Sequence, residues 1–171
     1  TVSGVKYTDK YTDTTNFTDA TPILRFADMV LLAAEANARL GNSSEAVKLL
    51  NSVRNRSLAS PTTQAYTDAS FADKKALVEA IIAERRIELL CEGSRWQDIH
   101  RLINDDLVPM QGIPGKVANG VPAASNYTLG TEYSGPLSSA IPYTDKRFLW
   151  PLPFIETSAN PVLAAQQNPG Y

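Results

Sequence analysis

Between residues 22 and 103 apolar side chains recur at the three- and four-residue spacing of helices, and after Asn104 that spacing disappears. The run ILRFADMVLLAAEANARL is apolar on nearly every face, follows Thr21 and Pro22 as cap and first helical residue, and stops at Gly41. It predicts a central helix. Behind Asn42 and Glu45, which have capping-box spacing, Ala46, Leu49, Leu50 and Val53 form the stripe of a second, amphipathic helix. The turn between them is short, so residues 22–56 are expected to form an antiparallel hairpin. Ala34, Gly41, Ala46, Leu50 and Val53 fall at the small and apolar positions of a tetratricopeptide-type repeat, and the two alanines predict a close helix crossing.

The polar stretch LASPTTQAYTD reads as a loop. Ser70 and Asp73 then have the spacing of a capping box before a helix expected from about Phe71 to Glu92, closed by Gly93. Ser94 and Gln97 open a fourth helix, in which Trp96, Ile99, His100 and Ile103 share one face. Trp96 is therefore expected as a core anchor, and Cys91 and His100 as structural residues on helical faces. Upstream, the alternation of Val2, Val5, Tyr7 and Tyr11 predicts one short extended segment. Most of the 11 prolines and 9 glycines fall beyond Asn104. The end, RFLWPLPFIETSANPVLAAQQNPGY, is expected to be extended and pinned to the helical body. The predicted fold class is mainly α: a tetratricopeptide-like helical hairpin, two further helices over 70–103, and a long irregular Pro/Gly-rich C-terminal region over 104–171 packed on the helices.

Composition narrows the function classes. At 171 residues and 43% hydrophobic the chain can bury a core. A net charge of −2 with dispersed Lys and Arg gives no basic footprint for nucleic acid. No apolar run approaches the ~18 to 20 residues of a membrane span. One Cys and one His leave no intrachain disulfide, no CxxC site and poor material for a protein-only metal site. No cofactor motif is present, and GIPGKVANG lacks the strand-to-helix GK[ST] context of a phosphate loop. The polar start without Met is read as a start in mid-protein.

The densest cluster of charge is AIIAERRIELLCEGSRWQDIHRL, residues 80–102. Glu84, Glu88 and Glu92 lie on one helical face with neighbouring Cβ atoms about 5 to 6 Å apart. That spacing suits the two carboxyl groups of a glycoside hydrolase, roughly 5 to 9.5 Å apart. An acid catalyst, however, needs a raised pKa, and Arg85 and Arg86 stand beside these glutamates, Arg85 within reach of Glu88 or Glu92. Cations at that range favour the ionised form. Glu84 and Glu88 also continue the inward face of Leu77, Ala80 and Ile81, so they are expected to be buried and to need partners. Arg25, Arg54, Arg56 and Arg95 are the expected partners, and Glu35, Arg85 and Asp98 complete a predicted structural ion network. Tyr127, Tyr133 and Tyr143, in or beside the irregular region, are the candidate ligand contacts because a tyrosine ring can stack on a sugar.

Three stretches carry a family resemblance. LRFADMVLLAAEANARLGNSSEAVKLLNSVRNR, IIAERRIELLCEGSRWQDIHRL and LWPLPFIETSANPVLAAQQNPGY occur in the order of the corresponding segments of SusD/RagB proteins, which they resemble over most of residues 22–171. Asp28 stands where that pattern usually has Glu, and LAAQQNPGY carries an extra residue or two. The resemblance implies a tetratricopeptide-like helical fold, covering only the C-terminal portion of a protein about three times longer. It further implies a surface-exposed lipoprotein of the outer membrane, held by an N-terminal lipid anchor outside this chain. Such a protein captures oligosaccharide or another nutrient without catalysis and delivers it to a TonB-dependent SusC-like channel. The residues themselves leave open a tetratricopeptide-type protein-interaction scaffold without glycan binding and, more remotely, the hydrolase.

Overall fold

The computed structural model describes residues 10–117, 133 and 135–171. Residues 10–109 form one compact unit, and the described residues from Met110 to Tyr171 belong to a second.

The first unit is helical. Helix α1 spans Phe26–Leu40, α2 Ser43–Arg54, the single turn α3 Pro61–Gln64, α4 Lys74–Glu88 and α5 Ser94–Arg101. Helices α1 and α2 form the expected hairpin, and α4 packs across α1 with a smaller contact to α2. Leu31, Leu50, Leu77, Val78 and Ile81 fill the space between them, and Leu102 closes it below α5. Ala34 and Ala46 have no exposed surface, as a close crossing of α1 and α2 requires.

Helix starts and stops differ from expectation for identifiable reasons. Helix α1 begins at Phe26 rather than Pro22, with Arg25 in extended conformation. Ile23 is 99% exposed, so an earlier start would bury nothing, and packing rather than propensity sustains short helices. Its end is the expected one. Gly41 has φ +89°, its N–H donates to Ala38 O, and Asn42 N–H donates to Asn37 O, a Schellman-type closure that favours glycine. Asn42 does precede α2 but caps no backbone group; its amide donates to Asn37 Oδ1. Helix α4 is capped by Asp73, which accepts from Ala76 N–H, while Ser70 closes a capping box with Thr67 on the preceding single turn. Helix α4 ends at Glu88, four residues early. The Glu88 carbonyl accepts from Arg25 and from Lys10, so side-chain cations take over where the next turn would have bonded. Cys91 consequently lies exposed on a turn with φ +63°, off the helix where a buried structural role placed it.

Helix α1 is not surrounded on all sides. Ala27, Val30, Leu31, Ala34, Glu35 and Ala38 are buried, whereas Phe26, Met29, Leu32 and Leu40 face outward. Trp96 is likewise no core anchor: it is 37% exposed, its ring tilted against His100 at 4.3 Å. Helix α5 instead buries Asp98 and Ile99.

In the second unit β1, Gly112–Ile113, pairs antiparallel with β2, Ile141–Pro142, and Val117 bridges to Leu137. Gly112 has φ +136°, and a Cβ there would meet Ile141 O at 2.1 Å, so only glycine fits. The terminal segment is not extended throughout. It contains α6, Phe154–Ala159, and the single turn α7, Pro161–Ala164, the latter capped by Asn160. Gln167 makes reciprocal hydrogen bonds with the Leu152 backbone, and Tyr171 donates to the carbonyls of Lys146 and Leu149. The closing NPGY sequence thus folds back on residues 146–152.

The α1/α2 crossing has no room for a larger side chain. Ala46→Leu is expected to lower stability by about 1 to 3 kcal/mol, measured as the urea unfolding midpoint; an unchanged midpoint would mean that the helices do not meet there closely.

Candidate functional site

The charged residues of α4 and α5 meet those of α1 in one continuous chain of ion pairs. Arg85 is 3% exposed, which demands counter-charges, and two helices supply them. Its Nη1 donates to Asp28 Oδ1 of α1 at 2.6 Å, and its Nε lies 3.3 Å from both oxygens of Asp98 on α5. Asp98 also accepts from Arg101 Nε at 2.8 Å. Arg101 in turn forks onto Glu35, Nη1 to Oε1 at 2.8 Å and Nη2 to Oε2 at 2.7 Å, the bidentate geometry that fixes orientation as well as distance. Glu35 reaches Arg39 at 2.9 Å, and Arg39 reaches Asp105 at 2.8 Å.

A second group closes the C-terminal end of α4. Glu88 lies 2.9 Å from Arg25 Nη1 and 2.8 Å from Arg56 Nη2. Glu92 takes Arg25 Nε at 2.8 Å together with Lys10. Glu84 is buried and has Arg54 at the longer distance of 3.4 Å, while the Arg54 guanidinium stacks 4.5 Å above the Tyr66 ring. The structure therefore brings Arg25, Glu35, Arg54, Arg56, Glu84, Arg85, Glu88 and Asp98 into ion pairs.

Two expectations about this cluster are corrected. Arg85 does not reach Glu88 or Glu92; it turns toward Asp28 and Asp98, because α4 ends at Glu88 and that carboxylate faces Arg25 and Arg56. Arg95 joins no ion pair among the described residues: Asp98, three residues on, is held by Arg85 and Arg101. Sequence reasoning missed Lys10, Asp28, Arg39, Glu92, Arg101 and Asp105 as members. The spacings Glu35/Arg39 and Asp98/Arg101 carried a helical signal for two of these. Lys10 and Asp105 lie outside the helices that they serve and have no such signal.

The electrostatics favour fixed charge. Burial pushes the Glu35 carboxyl up, but Arg101 and Arg39 outweigh it and hold it below its ordinary 4.5. Glu92 is lowered in the same way, with Lys10 and Arg25 overcoming burial. Asp105 lies below 3.8, its desolvation outweighed by the Val108 and Leu107 N–H groups and by Arg39. Burial lowers the Arg25, Arg39 and Arg101 values and their carboxylate partners raise them further, for a net rise. Such groups hold helices together and do not give up protons near neutrality. Among the described residues no cluster of His, Cys, Asp and Glu is arranged to hold a metal, and no helix is long and apolar enough to cross a membrane.

The candidate ligand contacts lie in the second unit. Tyr143 follows β2 and is 44% exposed. Tyr133 is half-buried, with its hydroxyl 3.4 Å from Pro136 O. Tyr127 lies outside the described residues. Trp150 and Phe154 are more exposed than either tyrosine. An apolar hollow of about 280 Å³ is lined by Met110, Gln111, Ile113, Pro114, Ala140 and Pro142. In the helical unit a second hollow, about 490 Å³, opens between α1 and α2 beside Arg25, Phe26, Val30, Val53 and Arg56.

Comparison with known proteins agrees with this architecture. The model of the SusD family matches residues 1–171. SusD-like protein P38 of Formosa agariphila is 33% identical over 151 residues, 87% of this chain and 24% of that protein. SusD-like protein P2 of the same organism is 33% identical over 152 residues, 86% and 25% of the two chains. The solved structure of BT4246, as its selenomethionine form, matches with a TM-score of 0.57 and 28% identity, over 90% of this chain and 25% of that one. The chain thus spans about a quarter of the length of the relatives it matches.

Two outcomes follow for the ion network. Arg85→Met leaves Asp28 without its cation and buried Asp98 with Arg101 alone, and is expected to cost about 3 to 5 kcal/mol, whereas Lys75→Met, in an exposed pair, should shift stability by no more than about 0.5 kcal/mol; urea unfolding of the two variants compares them. Glu35, Glu92 and Asp105 have folded pKa values below their unfolded ones, so the folded state binds fewer protons. Their stabilisation is complete above the ordinary 4.5 and 3.8 and is lost as pH falls through the lowered values. The urea midpoint is therefore expected to hold down to about pH 5 and fall toward about pH 3, less steeply in Glu35→Gln; a midpoint flat to pH 3 would contradict the pairing.

Proposed function

The chain belongs to the SusD family, and on that premise we propose that it forms part of a protein that captures an oligosaccharide or other nutrient at the outer surface of the outer membrane and hands it, unaltered, to a TonB-dependent SusC-like channel. The observation that carries this reading is the family match over residues 1–171, which supports a nutrient- or glycan-binding role. The occupied carboxylates support the absence of turnover: Glu84, Glu88 and Glu92, whose spacing alone suits acid catalysis, are each drawn onto an arginine. A binding protein needs a rigid frame, stacking surfaces and hydrogen bonds, with no transition state to stabilise. The ion network supplies the frame; Tyr133 and Tyr143, with Tyr127 beyond the described residues, are the proposed stacking surfaces. Attachment to the membrane is assigned to a lipid anchor ahead of residue 1.

The outward row of Phe26, Met29 and Leu32 on α1 favours a second reading, a tetratricopeptide-type protein-interaction scaffold without glycan binding. One tetratricopeptide-like unit is too few to be stable as a stack, which needs at least about three, and the chain spans about a quarter of its relatives. The hairpin is read as the last of a row of such units. A scaffold that grips only a protein partner would use that same face.

Calorimetry of the intact protein against a polysaccharide panel, paired with co-purification of the channel, separates the two readings. Saturable binding of at least one glycan, weakened about tenfold or more by Tyr143→Ala, corresponding to ~1.4 kcal/mol, is the expected result. Silence across the panel with the channel still bound would favour the scaffold.

A further inference from the structure

The closing segment of the chain is built inside out. Residues 148–171 carry a single charged side chain, Glu156. Their polar side chains turn onto backbone: Gln167, half-buried, accepts from Leu152 N–H at 2.8 Å and donates to Leu152 O at 3.1 Å, and Asn168, also half-buried, donates to Trp150 O. The Tyr171 hydroxyl lies 3.1 Å from Lys146 O and 3.0 Å from Leu149 O. With the polar groups engaged inward, the apolar ones are held outside. Leu149, Trp150, Phe154 and Ile155, all within residues 149–155, are 52%, 78%, 84% and 74% exposed, and Val162 follows at 71%. Single apolar residues on a surface are ordinary, whereas an unbroken apolar stretch marks an interaction site. Here the hydrogen bonds at Leu149, Trp150 and Leu152 fix the backbone that presents it.

We infer that residues 149–155, with Val162, are the permanent seat of an apolar surface of the same polypeptide that lies outside residues 1–171. This rests on the reading of the chain as part of a longer protein, and the chain covers only 24% and 25% of the two relatives described above. Scarcity of charge together with exposed Trp and Phe is the composition of a permanent interface core, which resembles a domain interior cut in half. A lipid surface is a poorer match, because membrane-surface segments set free Lys and Arg beside their apolar residues. Lys146 instead donates to Gly170 O at 2.8 Å and lies 5.0 Å over the Tyr171 ring, and Arg147 is forked onto Asp145. A separately made partner would leave the row in water until it arrived, with Glu156 as its one charged guard. A surface of the same polypeptide covers it as the chain folds. Trp150 and Phe154, although more exposed than the tyrosines, are thereby removed from the sugar-stacking surfaces.

Photo-crosslinking of the intact protein tests this, with benzoylphenylalanine in place of Phe154 and the crosslinked peptides identified by mass spectrometry, in the presence and absence of the channel. The expected product joins position 154 to a peptide of the same polypeptide outside residues 1–171, in equal yield with and without the channel. The same probe at Lys75, whose side chain is 58% exposed, should give no such product. Phe154→Ala should also lower the urea midpoint of the intact protein by more than Lys75→Met does, as loss of a covered ring requires. A crosslink to the channel, to a second copy of the protein or to residues 10–109, or no crosslink at all, overturns the inference, as does a Phe154→Ala midpoint equal to that of wild type. Each of those results leaves glycan capture standing. An intact protein with no polypeptide outside residues 1–171 would overturn the reading on which the inference rests as well.

Discussion

A guanidinium held below the surface organises the helical unit. Arg85 cannot lose its charge and cannot leave it unmatched, so α1 must bring Asp28 and α5 must bring Asp98 to within bonding range. Those two requirements set how far α4 stands from α1 and where α5 begins. Asp98 then recruits Arg101, which recruits Glu35 back on α1, and the loop of charges closes across three helices. Apolar burial drives these helices together; the ion pairs select one arrangement among the many that a greasy interface would tolerate. A misplaced register leaves a buried charge without its partner, a far larger penalty than a misplaced methyl group.

How much of this was readable in the sequence depended on whether the deciding interaction was local. The hairpin was legible because Gly41 needs only its own backbone conformation and Ala34 and Ala46 announce a close crossing. The start of α1 was not, since Thr21-Pro22 makes an acceptable cap and only the position of α4 reveals that Ile23 and Leu24 would bury nothing. The end of α4 was missed for a related reason: Lys10, 78 residues upstream, occupies the Glu88 carbonyl. Trp96 was misplaced because apolar spacing alone cannot show that α5 turns its Asp98 side inward. Within the ion cluster, the residue types were legible and their pairings were not. A helical pattern places charges on faces, whereas the partner across the interface depends on the tertiary packing that the charges themselves help to choose.

The same logic connects structure to the proposed role. A carboxylate that is to deliver a proton must stand partly unpaired, and a frame that is to hold a binding surface still must leave no charge unpaired. Helices α4 and α5 meet the second condition almost throughout, which accords with membership in a family of nutrient-binding proteins. The aromatic surfaces lie elsewhere, in the irregular unit, where backbone closures such as Gly112 against Ile141 fix loops with few helical hydrogen bonds.

On this account Glu84, Glu88 and Glu92 are structural, each held by an arginine. Assay of reducing-sugar release, with the intact protein incubated for long periods with an oligosaccharide that it binds, tests it most directly. No release above the protein-free control is expected for wild type or for Glu84→Gln. Release by the wild-type protein that disappears in a folded Glu84→Gln variant would contradict the claim and place the active carboxylate within the ion network.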